Sequence, residues 1–196
     1  MTSRASSPLD PFMPDPDVRE CFRRRVGAPP ATGMAAARDC VMQSSPLVRA
    51  IFRAREKLMR ATPRERLARG LVDEMRSLGW AVLRDEPRLL LCGAACRPWQ
   101  ADVVFEPIPA AEFALYRQDD RVKIAWSLQA RSSGPEGCEL FHETRVVATD
   151  EQARARFLRY WRWARFGIVP IRLLLLPAIG RAAERRHAAA RPAATG

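Results

Sequence analysis

The sequence has little lysine and histidine for its length. Of 196 residues two are lysine, Lys57 and Lys123, and two are histidine, so arginine supplies most of the net charge of +11 at pH 7. A basic protein is attracted to anionic surfaces. The arginines are dispersed, however, and no run is longer than the three at 23–25. This pattern predicts weak, sequence-independent contact with nucleic acid and no specific nucleic-acid partner.

Several motifs that mark enzymes are also missing. The chain has no glycine-rich dinucleotide loop, no Walker loop and no Gly-x-Ser-x-Gly elbow. Its cysteines are odd in number and form no Cys-x-x-Cys pair: Cys21, Cys40, Cys92, Cys96 and Cys138. We expect buried free thiols in a reducing cytoplasm rather than disulfides or metal ligands. No catalytic residue, metal site or cofactor is predicted.

Long apolar runs are absent as well. Residues 1–16 are rich in Pro, Ser and Asp and lack the apolar region of a secretion signal, so they predict a disordered lead-in. The most apolar segment, residues 167–180, is too short to span a bilayer and contains Arg172. We therefore expect a soluble, cytoplasmic protein with a single domain at 17–187 and a flexible tail at 188–196.

The apolar residues that are present follow strand and helix periods in a definite order. Alternation predicts strands at 18–26, 80–84, 88–96, 112–116, 122–130 and 138–148. Helical spacing predicts short helices at 30–37, after Ser45-Pro46, and from Thr62-Pro63 to Gly79. Even positions of the strand at 122–130, among them Ile124, Trp126 and Leu128, should face inward, and odd positions should face water.

A long helix closes the chain. Thr149 is its predicted cap with Gln152 three residues on, and the helix should run to Phe166, pause at Gly167 and Pro170, and resume to Arg186. Short helices after the first strand, a run of strands and a final helix together predict an α+β fold. In this fold the C-terminal helix lies across an antiparallel sheet.

Four strings carry a family resemblance: CRPW at 96–99, RVKIAWSL at 121–128, HETRVVATD at 142–150 and FLRYWRWARFGIVPIRLLLL at 157–176. Over about residues 18–186 the chain resembles a bacterial branch of the START and polyketide-cyclase superfamily, SRPBCC. The resemblance implies a helix-grip fold, a curved sheet wrapped around a long C-terminal helix with a cavity between them. None of the strings is a catalytic signature, so the resemblance implies no particular activity.

The last strand and the last helix contain the candidate site residues. His142 and Thr144 share the inward parity of their strand, whereas Glu143 and Arg145 should lie on the wet face with Glu139, and no inward carboxylate is evident. An inward histidine is either a core residue or a polar contact in a cavity wall.

On the helix, an apolar stripe consists of Phe157, Tyr160, Trp161 and Ala164. Such a stripe packs on a sheet, and in a helix-grip fold it also lines the cavity. Trp163 and Phe166 lie off the stripe beside arginines, which predicts a weak contact with a membrane surface.

Two functions remain open at this point. The first is binding of a small hydrophobic or amphipathic molecule in the cavity. Its predicted lining is Trp126, His142, Thr144, Phe157 and Trp161, together with Trp99. The second is a cyclase or dehydratase acting on a polyketide-like substrate, with His142 as acid or base and Thr144 or Tyr160 assisting. The sequence does not indicate an oligomeric state.

Overall fold

The computed structural model describes residues 6–41 and 70–190 together with residues 49, 50, 53, 54, 57, 59 and 60. In these residues the strands are β1 Val18–Val26, β2 Ala81–Glu86, β3 Leu89–Cys96, β4 Glu106–Pro107, β5 Val122–Ser132 and β6 Cys138–Ala148. The helices are α1 Pro30–Arg38, α2 Leu71–Ser77, α3 Ala110–Phe113 and α4 Glu151–Ala190. The mixture and its order confirm the predicted α+β class.

The strands form one antiparallel sheet in the order β1-β6-β5-β3-β2, with β4 paired to β3. The sheet is curved, and α4 lies across one face of it, so the arrangement is the predicted helix-grip fold. Ile124, Trp126 and Leu128 on β5 share a cavity with side chains of α4. The inward parity predicted for β5 is therefore confirmed.

The opposite face of the sheet is also buried around β5, contrary to the prediction that it lies in water. Ala125 and Ser127, at odd positions of β5, have 0% exposure. Leu9 and Met13, which precede β1, pack into the apolar cluster on this face together with Phe113 of α3. The alternation in β5 correctly separates two faces, but it does not reveal that both are covered.

Residues 7–13, here called the N-terminal segment, are packed against the sheet, and the prediction of a disordered lead-in is wrong for them. Leu9 is 0% and Met13 2% exposed, because both side chains cover apolar residues of the sheet. The low apolar content of residues 1–16 is the reason that the sequence pattern indicates disorder. Residues 1–5 of that range lie outside the described part of the chain.

Buried charges attach the N-terminal segment to β6. Glu143 and Arg145, predicted to lie in water, are 0% and 2% exposed. Glu143 accepts hydrogen bonds from Ser7 Oγ at 2.6 Å and from the Nε atoms of Arg19 and Arg145 at 2.7 Å. Arg145 also donates to the Asp10 carboxylate at 2.6 Å. Charged side chains are seldom buried without partners, and here a partner, Ser7, lies 136 residues away in sequence.

The strand predicted at 112–116 is wrong. Residues Ala110–Phe113 form helix α3 after Pro109, and Phe113 is 0% exposed. Phe113 lies against Gly93 of β3 so closely that a Cβ at Gly93 would be 2.5 Å from its Cε2 atom. Five residues are too few to distinguish a strand period from a helix turn.

The start of α4 also differs by one residue from the prediction. Asp150 is the capping residue, because its Oδ1 accepts a hydrogen bond from the Ala153 amide at 2.7 Å. The Thr149 hydroxyl instead donates to the Arg121 carbonyl at 2.9 Å, which links the end of β6 to β5. The carboxylate at the first turn also complements the helix dipole.

The predicted pause at Gly167 and Pro170 is wrong, since α4 is continuous and contains both Pro170 and Pro177. A proline inside a helix removes one backbone hydrogen bond and costs about 3 kcal/mol. The apolar face of α4 buries Leu176 and Ile179 against the core, and this packing offsets the cost. Residues 188–190 of the predicted tail belong to α4, and residues 191–196 lie outside the described residues.

The helix predicted from Thr62-Pro63 ends at Gly79 as expected, where φ is 92°. Its described part, α2, begins only at Leu71, because Gly70 has a φ of 90° and is not helical. Residues 61–69, and residues 42–48 around Ser45-Pro46, lie outside the described part of the chain.

The cysteines are free thiols, and three of them are buried. Cys40 is partly buried. Cys21, which was predicted to be buried, is exposed because it lies on the outer parity of β1 with the arginines.

Candidate functional site

A cavity of about 370 Å³ lies between the sheet and α4. Its floor consists of inward side chains of β1, β5 and β6, and its roof is one face of α4. Helix α2 and the segment at 98–105 supply side walls, and Trp80 and Phe105 stand in these walls with their ring centroids 5.0 Å apart. The inward side chains of three strands and the inner face of α4 thus line one space.

Five of the six predicted site residues line this cavity: Trp126, His142, Thr144, Phe157 and Trp161. Phe157 and Trp161 stack with their ring centroids 5.9 Å apart on the inner face of α4. Trp99 is not among the residues that line the cavity. It packs against the apolar cluster that contains Phe157, beside the cavity wall.

His142 and Thr144 form a hydrogen-bonded pair on the floor. Thr144 Oγ1 is 3.1 Å from His142 Nε2. The imidazole lies between two aromatic rings, with Phe22 stacked at 6.3 Å and Trp126 tilted at 5.9 Å between centroids. The histidine is therefore held in place by aromatic packing and by one hydroxyl.

Burial lowers the pKa of His142 to about 3, and the positive charge of Arg172 acts in the same direction. A main-chain hydrogen bond with Ser127 acts weakly the other way. The His142 side chain is only partly covered by protein, and it lines the cavity. At neutral pH the imidazole is consequently uncharged, with one donor and one acceptor nitrogen.

The structure adds an ion pair to the site that the sequence did not predict. Arg172 of α4 donates from Nη1 to Glu20 Oε2 at 2.6 Å, and both side chains line the cavity. Glu20 pairs in register with Thr144, which pairs in turn with Trp126. Glu20, Thr144 and Trp126 thus form one row across the floor, with Arg172 above it.

Both residues carried a signal in the sequence. Glu20 has the same parity as Val18 and Phe22, so it was an inward carboxylate, contrary to the prediction that none is evident. Arg172 is a lone charge within the apolar residues 167–180. A charge in such a segment is expensive to bury and therefore predicts a partner.

The polar groups of the lining are few, and four of them lie together. Apart from the Arg172–Glu20 pair and the His142–Thr144 pair, most of the lining is aliphatic or aromatic, with Glu74 and Asp102 at other points of the wall. Among the described residues no three His, Cys, Asp or Glu side chains are grouped to hold a metal ion. The geometry offers an apolar chamber with one hydrogen-bonding patch.

No family model matches the sequence, and no curated protein matches it. Two solved structures are similar. CalU16 from Micromonospora echinospora is 17% identical over 87% of this chain and 86% of its own, with a TM-score of 0.30. TTHA0849 from Thermus thermophilus is 10% identical over 89% of this chain and 100% of its own, with a TM-score of 0.31. At these values neither structure indicates a ligand or an activity.

Proposed function

We propose that the protein binds a small hydrophobic or amphipathic molecule in the cavity between the sheet and α4. The observation that carries the proposal is the cavity itself, about 370 Å³ in volume and lined mainly by apolar side chains. Small-molecule sites are typically chambers of about 300–1,000 Å³ with a few convergent polar groups.

The polar patch favours a ligand with one uncharged polar end. The Arg172–Glu20 pair is neutral overall, and it offers remaining guanidinium N–H donors beside carboxylate acceptors. His142 is neutral as well, because its pKa is lowered to about 3. A hydroxyl or carbonyl group would find partners here, whereas the neutral pair has no net positive charge to compensate a ligand carboxylate. The rest of the molecule would lie against the aromatic residues of α4 and β5.

A cyclase or dehydratase remains the second candidate, since Glu20, Arg172, His142 and Thr144 converge on one wall. General acid–base catalysis works best when the pKa of the catalytic group is near the operating pH. The pKa of about 3 for His142 is far below that range. Binding without His142 acid–base chemistry is therefore the better supported function.

The proposal can be tested with a matched pair of substitutions on α4. Leu175 lines the cavity, and Leu173, two residues earlier, is 55% exposed on the outside of the helix. We expect Leu175→Trp to fill the cavity and abolish binding of the uncharged, polarity-sensitive dye Nile red to the native protein. Leu173→Trp should bind the dye like the wild type. Circular dichroism checks that both variants are folded.

Native mass spectrometry of the freshly purified protein gives an independent measurement. A co-purified small molecule should be present in the wild type and in Leu173→Trp and absent from Leu175→Trp. If dye binding is unchanged in Leu175→Trp, the dye does not occupy the cavity and the proposal fails. Conversion of a polyketide-like substrate that is lost in His142→Gln would favour the enzyme instead.

A further inference from the structure

Large apolar side chains remain exposed on the outside of α4. Trp163 is 44% exposed, Phe166 71% and Leu173 55%. Tyr160 and Ala164, on the inner side of the same turns, are buried. The helix therefore has an apolar inner face that closes the cavity and a second apolar surface that points away from it.

The outer side chains form a continuous line, which we call the outer stripe: Trp163, Phe166, Pro170, Leu173 and Pro177. Their spacing of three and four residues places them on one side of a helix, over about four turns. Pro170 and Pro177 are partly buried, and the other three are exposed. Single exposed apolar residues are ordinary, but a contiguous line of them marks an interaction surface.

Arginines stand at both ends of the outer stripe. Five exposed arginine side chains lie near its ends. Those that precede or flank the first turn are Arg159, Arg162 and Arg165, and those that follow the last turn are Arg181 and Arg185. An apolar line bounded by exposed arginines is typical of a helix that lies in the interface of an anionic membrane. The apolar residues enter the lipid there and the guanidinium groups remain at the headgroups.

Helix α4 contains more apolar residues than its packing against the rest of the protein buries. Its most apolar 18-residue window has a mean hydropathy of 1.6, yet only 28% of that window is buried. By length and composition alone this helix could cross a membrane. Its inner face is occupied, however, because Arg172 is paired with Glu20 and Leu176 and Ile179 pack in the core. Among the described residues of α4, the large exposed apolar side chains are those of the outer stripe and Leu158.

We propose that the outer stripe docks the protein on the surface of an anionic lipid bilayer, with α4 parallel to the membrane plane. A second copy of the chain fits the stripe less well. The outer stripe of a second copy is also bounded by arginine at both ends. Two facing α4 helices, parallel or antiparallel, would therefore place arginine near arginine, and like charges repel. This surface goes beyond the proposed ligand binding, which needs only the inner face of α4.

The test is co-flotation of the full-length protein with vesicles, one set of phosphatidylcholine and one with added phosphatidylglycerol. We expect binding only to the anionic vesicles. It should weaken strongly from about 0.1 M to about 1 M salt, where the Debye length falls from about 10 Å to about 3 Å. Phe166→Ser with Leu173→Ser should lower the partition coefficient by at least about tenfold.

Matched controls lie elsewhere on the surface. Leu115 is 79% exposed and lies outside α4, so Leu115→Ser should bind like the wild type. Arg162→Glu should lower binding by about tenfold or more, because it replaces an attractive charge near the anionic surface with a repulsive one. Arg88→Glu, on the exposed turn between β2 and β3, makes the same change in net charge away from α4. It should have a much smaller effect.

Several outcomes would overturn the proposal. These are no binding to anionic vesicles at low salt, equal binding to both vesicle types, or equal losses in the stripe and control variants. Vesicle binding that resists both high salt and alkaline carbonate would indicate a spanning helix. A dimer in analytical ultracentrifugation that Phe166→Ser with Leu173→Ser dissociates would assign the stripe to a second copy. Ligand binding is measured without vesicles, so its failure is a separate result.

Discussion

The lowered pKa of His142 predicts a specific loss of stability in mild acid. Burial is the main cause of the shift, and Arg172 adds to it, so the pKa in the folded protein is about 3. In the unfolded chain a histidine has a pKa of about 6.5. The folded state therefore resists a proton that the unfolded state accepts. The contribution of His142 to stability is complete above about pH 6.5 and decreases as the pH falls toward 3.

The size of the effect follows from the linkage between proton binding and folding. A difference of one bound proton changes the free energy of unfolding by about 1.4 kcal/mol per pH unit. Between about pH 6.5 and pH 5 the protein should lose up to about 2 kcal/mol through His142 alone. Carboxylates contribute little in this window, because their unfolded pKa values are about 4.

Urea unfolding at several pH values between about 7.5 and 5 measures this slope. His142→Gln should be less stable than the wild type at pH 7.5 but should show a flatter pH dependence. His187→Gln is the matched control, because His187 is the second of the two histidines in the chain. Equal slopes in the wild type and His142→Gln, or an NMR titration of His142 near pH 6.5, would refute the reasoning. Either result would show that the cavity is well hydrated around the ring.

Further substitutions test the packing. Phe113→Ala should lower the free energy of unfolding in urea by about 3–5 kcal/mol. Trp161→Ala should lower it clearly less, because Trp161 faces the cavity. Equal losses in the two variants would indicate that Trp161 lies in solid core. Glu143→Ala should cost about 3–5 kcal/mol, since it leaves the buried Arg145 without one carboxylate, and an unchanged Tm would contradict this. Gly93→Ala should cost about 1–3 kcal/mol through its contact with Phe113. Phe113→Leu should cost less in that background than in the wild type.

Sequence periodicity was sufficient for the inner face of the fold and failed on the outer face. Ile124, Trp126, His142 and Thr144 were assigned correctly because each strand alternates with period two and a long helix closes the chain. The prediction for the outer face failed because the residues that cover it, 7–13, have a composition typical of disorder. This segment packs through contacts that are distant in sequence, with β6 and with the apolar cluster around Phe113.

The same limit applies to the site. His142 and Thr144 are two residues apart, so strand parity alone places them together. Glu20 and Arg172 are 152 residues apart, and neither a strand nor a helix period relates them. Each could be recognised separately as a charge on an apolar face. Their pairing required the curvature of the sheet, which brings β1 beneath α4.

The Arg172–Glu20 pair also favours one side of α4 for contact with the sheet. The helix has apolar residues on both sides, so the hydrophobic effect alone distinguishes the two faces poorly. A rotation by one residue, about 100°, would move Arg172 out of the cavity and leave Glu20 unpaired beneath the helix. Glu20, whose side chain is only 18% exposed, would then lack its guanidinium partner, which is unfavourable for a partly buried charge. The ion pair therefore adds to the core packing of Leu176 and Ile179 in directing Phe157 and Trp161 to the cavity and Trp163 and Phe166 outward. The charge that contributes a polar patch to the proposed ligand site thus also supports the orientation of the proposed membrane surface.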